Sequence, residues 1–184
     1  MFVGLTDEMK EILKELKGKR IITFEGAFEK DWNRLYAYFR INMDNESIDF
    51  NNEEAYVEFI GEKEEVAYLK CQNSIHKTIA DEFGLATNYS SSKIFVDDIV
   101  KEINIISETI SKEGNDILEY DKGIEIVTEK HTYMFYTKSW FDEYIYYSID
   151  NNCFDELYPI QEDIEVYKNG EDIDIKIERF RKSL

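Results

Sequence analysis

Proline occurs once in this chain, at Pro159, and glycine only 8 times in 184 residues, which excludes collagenous and proline-rich linker architectures. Cysteine occurs twice. Cys71 and Cys153 are too few and too far apart for a disulfide framework or a cysteine-rich zinc site, and reduced thiols are expected. Histidine also occurs twice. His76 and His131 share no metal-ligand spacing, and each reads as a solvated surface residue rather than a ligand or a base. A Ser-His-acid or Cys-His system would have to recruit one of them. Neither G-x-x-x-x-G-K-S/T nor G-x-G-x-x-G is present, which removes those routes to nucleotide binding. Ser90-Ser91-Ser92 lacks the glycines of a nucleophile elbow. Asp150 to Glu156 alternates oxygen ligands faintly like a calcium loop but lacks its turn glycine. No apolar run approaches the ~18 residues of a membrane helix, and Met1 to Glu8 has no basic n-region. The expectation is a cytoplasmic protein with no cofactor, no metal and no catalytic signature.

What the chain has in excess is acid: 40 Asp and Glu against 22 Lys and Arg, a net charge of −18. Hydrophobic residues at 43% and aromatics at 15% nevertheless supply a core, and disorder requires low hydrophobicity as well as charge. At this length a single compact unit, 1–184, is expected.

The spacing of Leu5, Met9, Ile12, Leu13 and Leu16 predicts a helix over 6–17, with Thr6 as N-cap, Asp7 and Glu8 at the positive end of the dipole, and Gly18 as stop. Strands are predicted from Arg20 to Glu25, Asn33 to Met43, around Ile48 and Phe50, from Tyr56 to Ile60 and from Val66 to Cys71. A short helix over Ser74 to Phe83 and a linker over 84–93 follow. Val96, Ile99, Val100, Ile103, Ile106 and Ile110 recur at three- and four-residue steps, predicting a second helix from Asp97 to Glu113 with Gly114 as its stop. Strands are expected at Ile117 to Tyr120, Ile124 to Thr128, Thr132 to Thr137, Tyr144 to Ile149, Ile164 to Tyr167 and Ile173 to Ile177. Asn169-Gly170 would join the last two as a hairpin turn. The fold class is α+β: an antiparallel, meander-rich sheet with two or three helices packed on one face.

One internal likeness stands out. Phe28, Lys30, Trp32, Tyr36, Tyr38, Phe39 and Ile41 align with Tyr136, Lys138, Trp140, Tyr144, Tyr146, Tyr147 and Ile149 at a constant offset. This raises the expectation of an internal duplication, with halves 1–92 and 93–184. Coincidence among aromatic-rich strands is the alternative.

The charge is uneven. Residues 139–178 hold 12 acids against Lys168 and Lys176, with eight aromatics among them. A second block, 44–65, holds nine acids and one base, and on it Glu54, Tyr56 and Glu58 hint at a row on one strand face. Such a surface repels nucleic-acid backbones and anionic membranes and attracts basic proteins, with Tyr as anchor and carboxylates pairing with Lys and Arg. The candidate partner-binding residues are Tyr144, Tyr146, Asp155, Glu156, Tyr158, Glu162, Asp163, Glu165, Tyr167, Glu171, Asp172 and Asp174. The expected function is an acidic, protein-binding inhibitor of the immunity or antitoxin kind that masks a basic toxin such as a nuclease. Two alternatives stay open. One is a nucleic-acid mimic that inhibits a nucleic-acid-binding protein, for example a phage anti-defence protein. The other is an enzyme with a carboxylate-only, metal-dependent site. Lysine outnumbers arginine and isoleucine is abundant, which fits an AT-rich bacterial or phage genome.

Overall fold

The computed structural model describes residues 1–59, 62–85, 90–113, 115–138, 143–151, 154–168, 170 and 172–184. Ile60, Gly114, Trp140, Cys153, Asn169 and Glu171, all named above, lie outside the described residues. The elements are β1 (Phe2–Val3), α1 (Asp7–Lys14), β2 (Arg20–Glu29), a 3₁₀ turn (Lys30–Trp32), β3 (Arg34–Met43), β4 (Ser47–Phe59), β5 (Glu62–Asn73) and α2 (Ile79–Glu82). They continue with β6 (Ser92–Lys112), β7 (Asn115–Thr128), β8 (Thr132–Tyr136), β9 (Tyr144–Ile149), α3 (Phe154–Leu157), α4 (Ile160–Lys168) and β10 (Ile175–Ser183).

The strand pairings close on themselves. Each of β7, β8, β9, β3, β2 and β6 is bonded to the next, and β6 returns to β7. The ring is antiparallel throughout. One core cluster draws on all six strands, including Phe24, Phe39, Ile103, Ile124, Phe135 and Ile145. Phe39 stacks on Phe135 at 4.3 Å and Phe24 meets Phe135 edge-on at 5.0 Å. The hairpin of β4 and β5 branches from the second half of β3, where β9 has left it. On the other side of the ring β10 continues from the second half of β6, and β1 adds to β7 in parallel, which makes the sheet mixed.

Helix α1 forms where its caps and stripe place it. The Thr6 hydroxyl accepts from the Met9 N–H at 3.3 Å, and Leu13 and Leu16 are fully buried against the ring's core. The helices are not gathered on one face, however. α1 packs on the main core, whereas Phe154 of α3 joins Ile106, Met134 and Tyr136, and Tyr167 of α4 joins Val3, Ile110, Leu118 and Tyr120.

The predicted helix over 97–113 is instead all but the first five residues of β6, a 21-residue strand that ends at Lys112. From Ile103 to Glu108 every residue is buried, because one face points into the ring and the other lies beneath α3 and α4, with β10 paired along its edge. A strand buried on both faces shows a near-continuous apolar run, and three- and four-residue spacings fall out of it without a helix. Its isoleucines, stiff at χ1, favour the extended form. The converse happens at 164–167, which is helical within α4 rather than a strand. Asn169-Gly170 therefore does not join two strands. Gly170, at φ 79°, follows the end of α4, where a left-handed residue ends a helix. The helix over 74–83 contracts to Ile79–Glu82, and Ile75 is 82% exposed rather than sharing a face with Ile79.

The aligned aromatic motifs occupy related places. Both start at the end of the first strand of a hairpin, β2–β3 and β8–β9, and Tyr36 lies directly opposite Tyr144 in the β3–β9 pair. Trp32 sits in the 3₁₀ turn before β3 rather than in the strand. Beyond the hairpins the likeness stops: β4 follows the first, and α3 and α4 follow the second.

Candidate functional site

The acid-rich segment after β9 leaves the ring at Asp150, whose backbone is left-handed at φ 60°. The Asp150 carboxylate accepts from the Thr132 N–H and lies 2.7 Å from His131 Nδ1, which ties the turn down and holds the Asp150 carboxyl below its usual range. Phe154 of α3 is then buried edge-on against Tyr136 at 5.0 Å. Pro159 separates α3 from α4 at a position where its missing N–H costs no hydrogen bond. In α4, Ile160, Asp163, Ile164 and Tyr167 fall at helical spacing and turn inward, while Gln161, Glu162 and Glu165 face solvent.

Beneath this cap four charged side chains are buried together. Lys122 of β7 donates to Asp163 at 2.8 Å and lies 3.5 Å from Glu108 of β6. Arg179 of β10 binds Glu108 Oε1 through Nε at 2.7 Å and Nη2 at 2.5 Å. Through Nη1 it also reaches Asp155 Oδ1 at 2.8 Å and the Tyr158 carbonyl at 2.6 Å. The Lys122 ammonium stands 4.0 Å from the Tyr158 ring and the Arg179 guanidinium 4.7 Å from that of Phe154. The Lys122, Glu108 and Asp163 side chains have no solvent exposure and Arg179 has 5%. Burial opposes the Arg179 charge, but Glu108 and Asp155 outweigh it and hold the guanidinium above its ordinary pKa. Burial, and after it Tyr167, Glu108 and Asp163, push the Tyr120 hydroxyl well above its own. Taking ions out of water costs several kcal/mol each, and only mutual pairing with good geometry offsets that. The cluster therefore fixes α3 and α4 against β6, β7 and β10.

The structure sorts the sequence-predicted partner-binding residues into three groups. Glu156, Glu162 and Glu165 are exposed on the outer side of α3 and α4, and Asp172 and Asp174 are exposed on the approach to β10. Asp155 is exposed yet bonded to Arg179. Tyr144, Tyr146 and Tyr158 are half-buried: the Arg34 guanidinium sits 3.7 Å from the Tyr144 ring, and Tyr146 stacks on Tyr136 at 5.7 Å. Asp163 and Tyr167 are buried and do not reach the surface. The reason is their place on α4, where Asp163 finds Lys122 and Tyr167 fills an apolar cluster.

Sequence reasoning missed Glu108, Lys122 and Arg179. Glu108 stands among isoleucines with Asn104 and Ser107 beside it, and Lys122 stands beside Gly123 in a strand, and a charge in such a β-rich run was the available signal. On β4, Glu54, Tyr56 and Glu58 do share one exposed face, and the Tyr56 hydroxyl donates to Glu54 at 3.1 Å. That bond, with a second to Glu65 across the hairpin, pushes Tyr56 up to about 12. Across the hairpin Lys63 stands opposite Glu58 and Glu65 opposite Tyr56, so one cation and one further carboxylate face this row. His76 is exposed and His131 is half-exposed beside Asp150. Among the described residues no group of three His, Cys, Asp or Glu side chains is arranged to hold a metal ion, and no helix is long and apolar enough to cross a membrane. No family model, curated protein or solved structure matches the chain.

Proposed function

We propose that this protein captures a basic protein partner stoichiometrically, as an inhibitor of the immunity or antitoxin kind masking a toxin such as a nuclease, through the outer side of α3 and α4. The observation that carries the reading is the opposite orientation of the two signs of charge in this region. The cations Lys122 and Arg179 are turned inward and neutralised by Glu108, Asp163 and Asp155, whereas Glu156, Glu162 and Glu165 face water. Asp155 and Asp163 are thereby taken up by cations that come from β10 and β7, and the field an approaching partner meets is set by the exposed Glu156, Glu162 and Glu165. Carboxylates so placed steer a basic partner and speed its encounter, by roughly 10- to 1,000-fold at low salt. The half-buried Tyr146 and Tyr158, packed with Phe154 of α3, are of the type that anchors interfaces.

The test is a pull-down from the native source followed by association kinetics. Reversal of Glu156, Glu162 and Glu165 to Lys is expected to slow capture of a basic partner by at least tenfold. Reversal of Asp7, Glu8 and Glu11, at α1, should slow it far less. Asp163 is left out of the first triplet because its reversal would unfold the cap. Equal effects of the two triplets, or a partner that is itself acidic, overturn the reading.

A further inference from the structure

Leu35 and Ile145 lie opposite each other in the β3–β9 pair and both point into the ring's core. Their neighbours Arg34, Tyr36, Tyr144 and Tyr146 therefore stand on the outer face. Tyr36 meets Tyr144 edge-on with ring centroids 5.8 Å apart. The Arg34 guanidinium sits 3.7 Å from the centre of the Tyr144 ring and 5.7 Å from that of Trp32. The stripe is open to solvent, with Trp32 71% exposed and Tyr36 39%. Single exposed apolar residues need no explanation. Here the rings touch a shared guanidinium and one another, and tryptophan, tyrosine and arginine are the residue types that dominate the energetics of protein interfaces.

The charges in this stripe are held by contacts, and they balance. Arg34 donates to Glu29 at 2.7 Å, Glu143 accepts from the Tyr36 hydroxyl, and the Lys138 ammonium lies 4.6 Å from the centre of the Tyr146 ring. Two cations thus accompany two carboxylates, and the 3₁₀ turn that carries Trp32 adds one of each, Lys30 and Asp31. A patch so balanced offers no net attraction to a basic protein or to a phosphate backbone. The chain as a whole differs, because a net charge of −18 makes two copies repel. A balanced aromatic patch is where a second copy can approach without setting like charge against like. Because it holds both signs, a two-fold contact also places the cation of one copy against the carboxylate of the other. We infer that this protein pairs with a second copy of itself through the outer face of β3 and β9, with Trp32 and Tyr36 as anchors. The contact is separate from the capture surface on α3 and α4, and the two respond to salt in opposite directions. Screening weakens the attraction of a basic partner but relieves the repulsion between two acidic copies.

The test is sedimentation velocity of the full chain from micromolar to millimolar concentration, at about 0.05 M and about 0.5 M sodium chloride, between which the Debye length falls roughly threefold. A monomer–dimer equilibrium that tightens at the higher salt is expected. Trp32→Ala removes an exposed ring outside the core and should weaken the dimer at least about tenfold, the usual loss for an interface anchor. Tyr36→Ala, on the strand rather than the turn, should do the same. Reversal of Glu156, Glu162 and Glu165 to Lys lowers the net negative charge and should leave the dimer intact or tighten it. A chain that stays monomeric at millimolar concentration in high salt overturns the inference. So does a dimer that neither ring substitution weakens, or one that dissociates as salt is raised, because either result places the contact on another surface.

Discussion

The Lys122 ammonium lies 2.8 Å from the Asp163 carboxylate, and neither side chain touches solvent. This pair joins the ring to the helical cap across 41 residues of sequence, and its worth is best measured by breaking it from one side. Asp163→Ala leaves Lys122 with Glu108, which Arg179 already engages. The expected loss is about 3–5 kcal/mol, read from urea denaturation. Lys122→Met combined with Asp163→Leu removes both charges and should recover most of it. A double variant no more stable than Asp163→Ala would show that the pair stabilises beyond its own desolvation.

A second buried carboxylate contributes to the response to acid. Asp98 accepts from the Thr128 hydroxyl at 2.6 Å, the Lys130 N–H at 2.8 Å and the Ile99 N–H at 2.9 Å, closing the turn between β7 and β8. Burial opposes its charge, but these bonds prevail and its pKa is lowered. A carboxyl whose folded pKa is depressed contributes stability that is present above its unfolded pKa, about 3.9, and is lost as pH falls through the folded value. Asp98→Asn should therefore destabilise at neutral pH and flatten the decline in stability below about pH 4. Parallel pH–stability curves for the variant and the parent would contradict this.

Gly123 is a packing requirement rather than a turn. A Cβ built there would meet the Phe135 carbonyl oxygen at 2.5 Å and the Tyr136 Cβ at 2.7 Å. Both belong to the paired strand β8, so neither can move without opening the ladder. Gly123→Ala should cost at least about 1–3 kcal/mol, the usual penalty of overpacking. A thermal midpoint unchanged within about 1 °C would exclude that explanation.

Cys71 is buried under α1, and burial pushes its thiol up to about 12. Thiolate is the reactive form, so in a Cys153→Ser background the folded protein should release no colour from a disulfide reagent. One equivalent should appear after denaturation. Reaction in the native state at a rate near that of free cysteine would mean that α1 opens readily.

Much of the fold was legible where the local signal had a single reading. Thr6, the acids after it and the leucine stripe specify α1 without help from elsewhere. β9 begins and ends at the predicted Tyr144 and Ile149, and β8 begins at the predicted Thr132 and ends one residue before Thr137, because aromatic and β-branched residues in runs this short favour the extended backbone. β6 was illegible for the opposite reason. Ile103 and Ile105 are buried inside the ring and Ile106 and Ile110 on its outer side, so their combined spacing belongs to neither face and imitates a helix.

The candidate site divides along the same line. Composition by itself determined that the stretch after β9 is acidic and aromatic. The tertiary structure alone decided which acids face water. Asp163 sits one residue from Glu162 in the sequence, yet the 100° step of a helix turns one toward Lys122 and the other to solvent. A carboxylate's availability depends on which cation the fold brings beneath it. Here those cations come from β7 and β10, and no local rule relates them to α4.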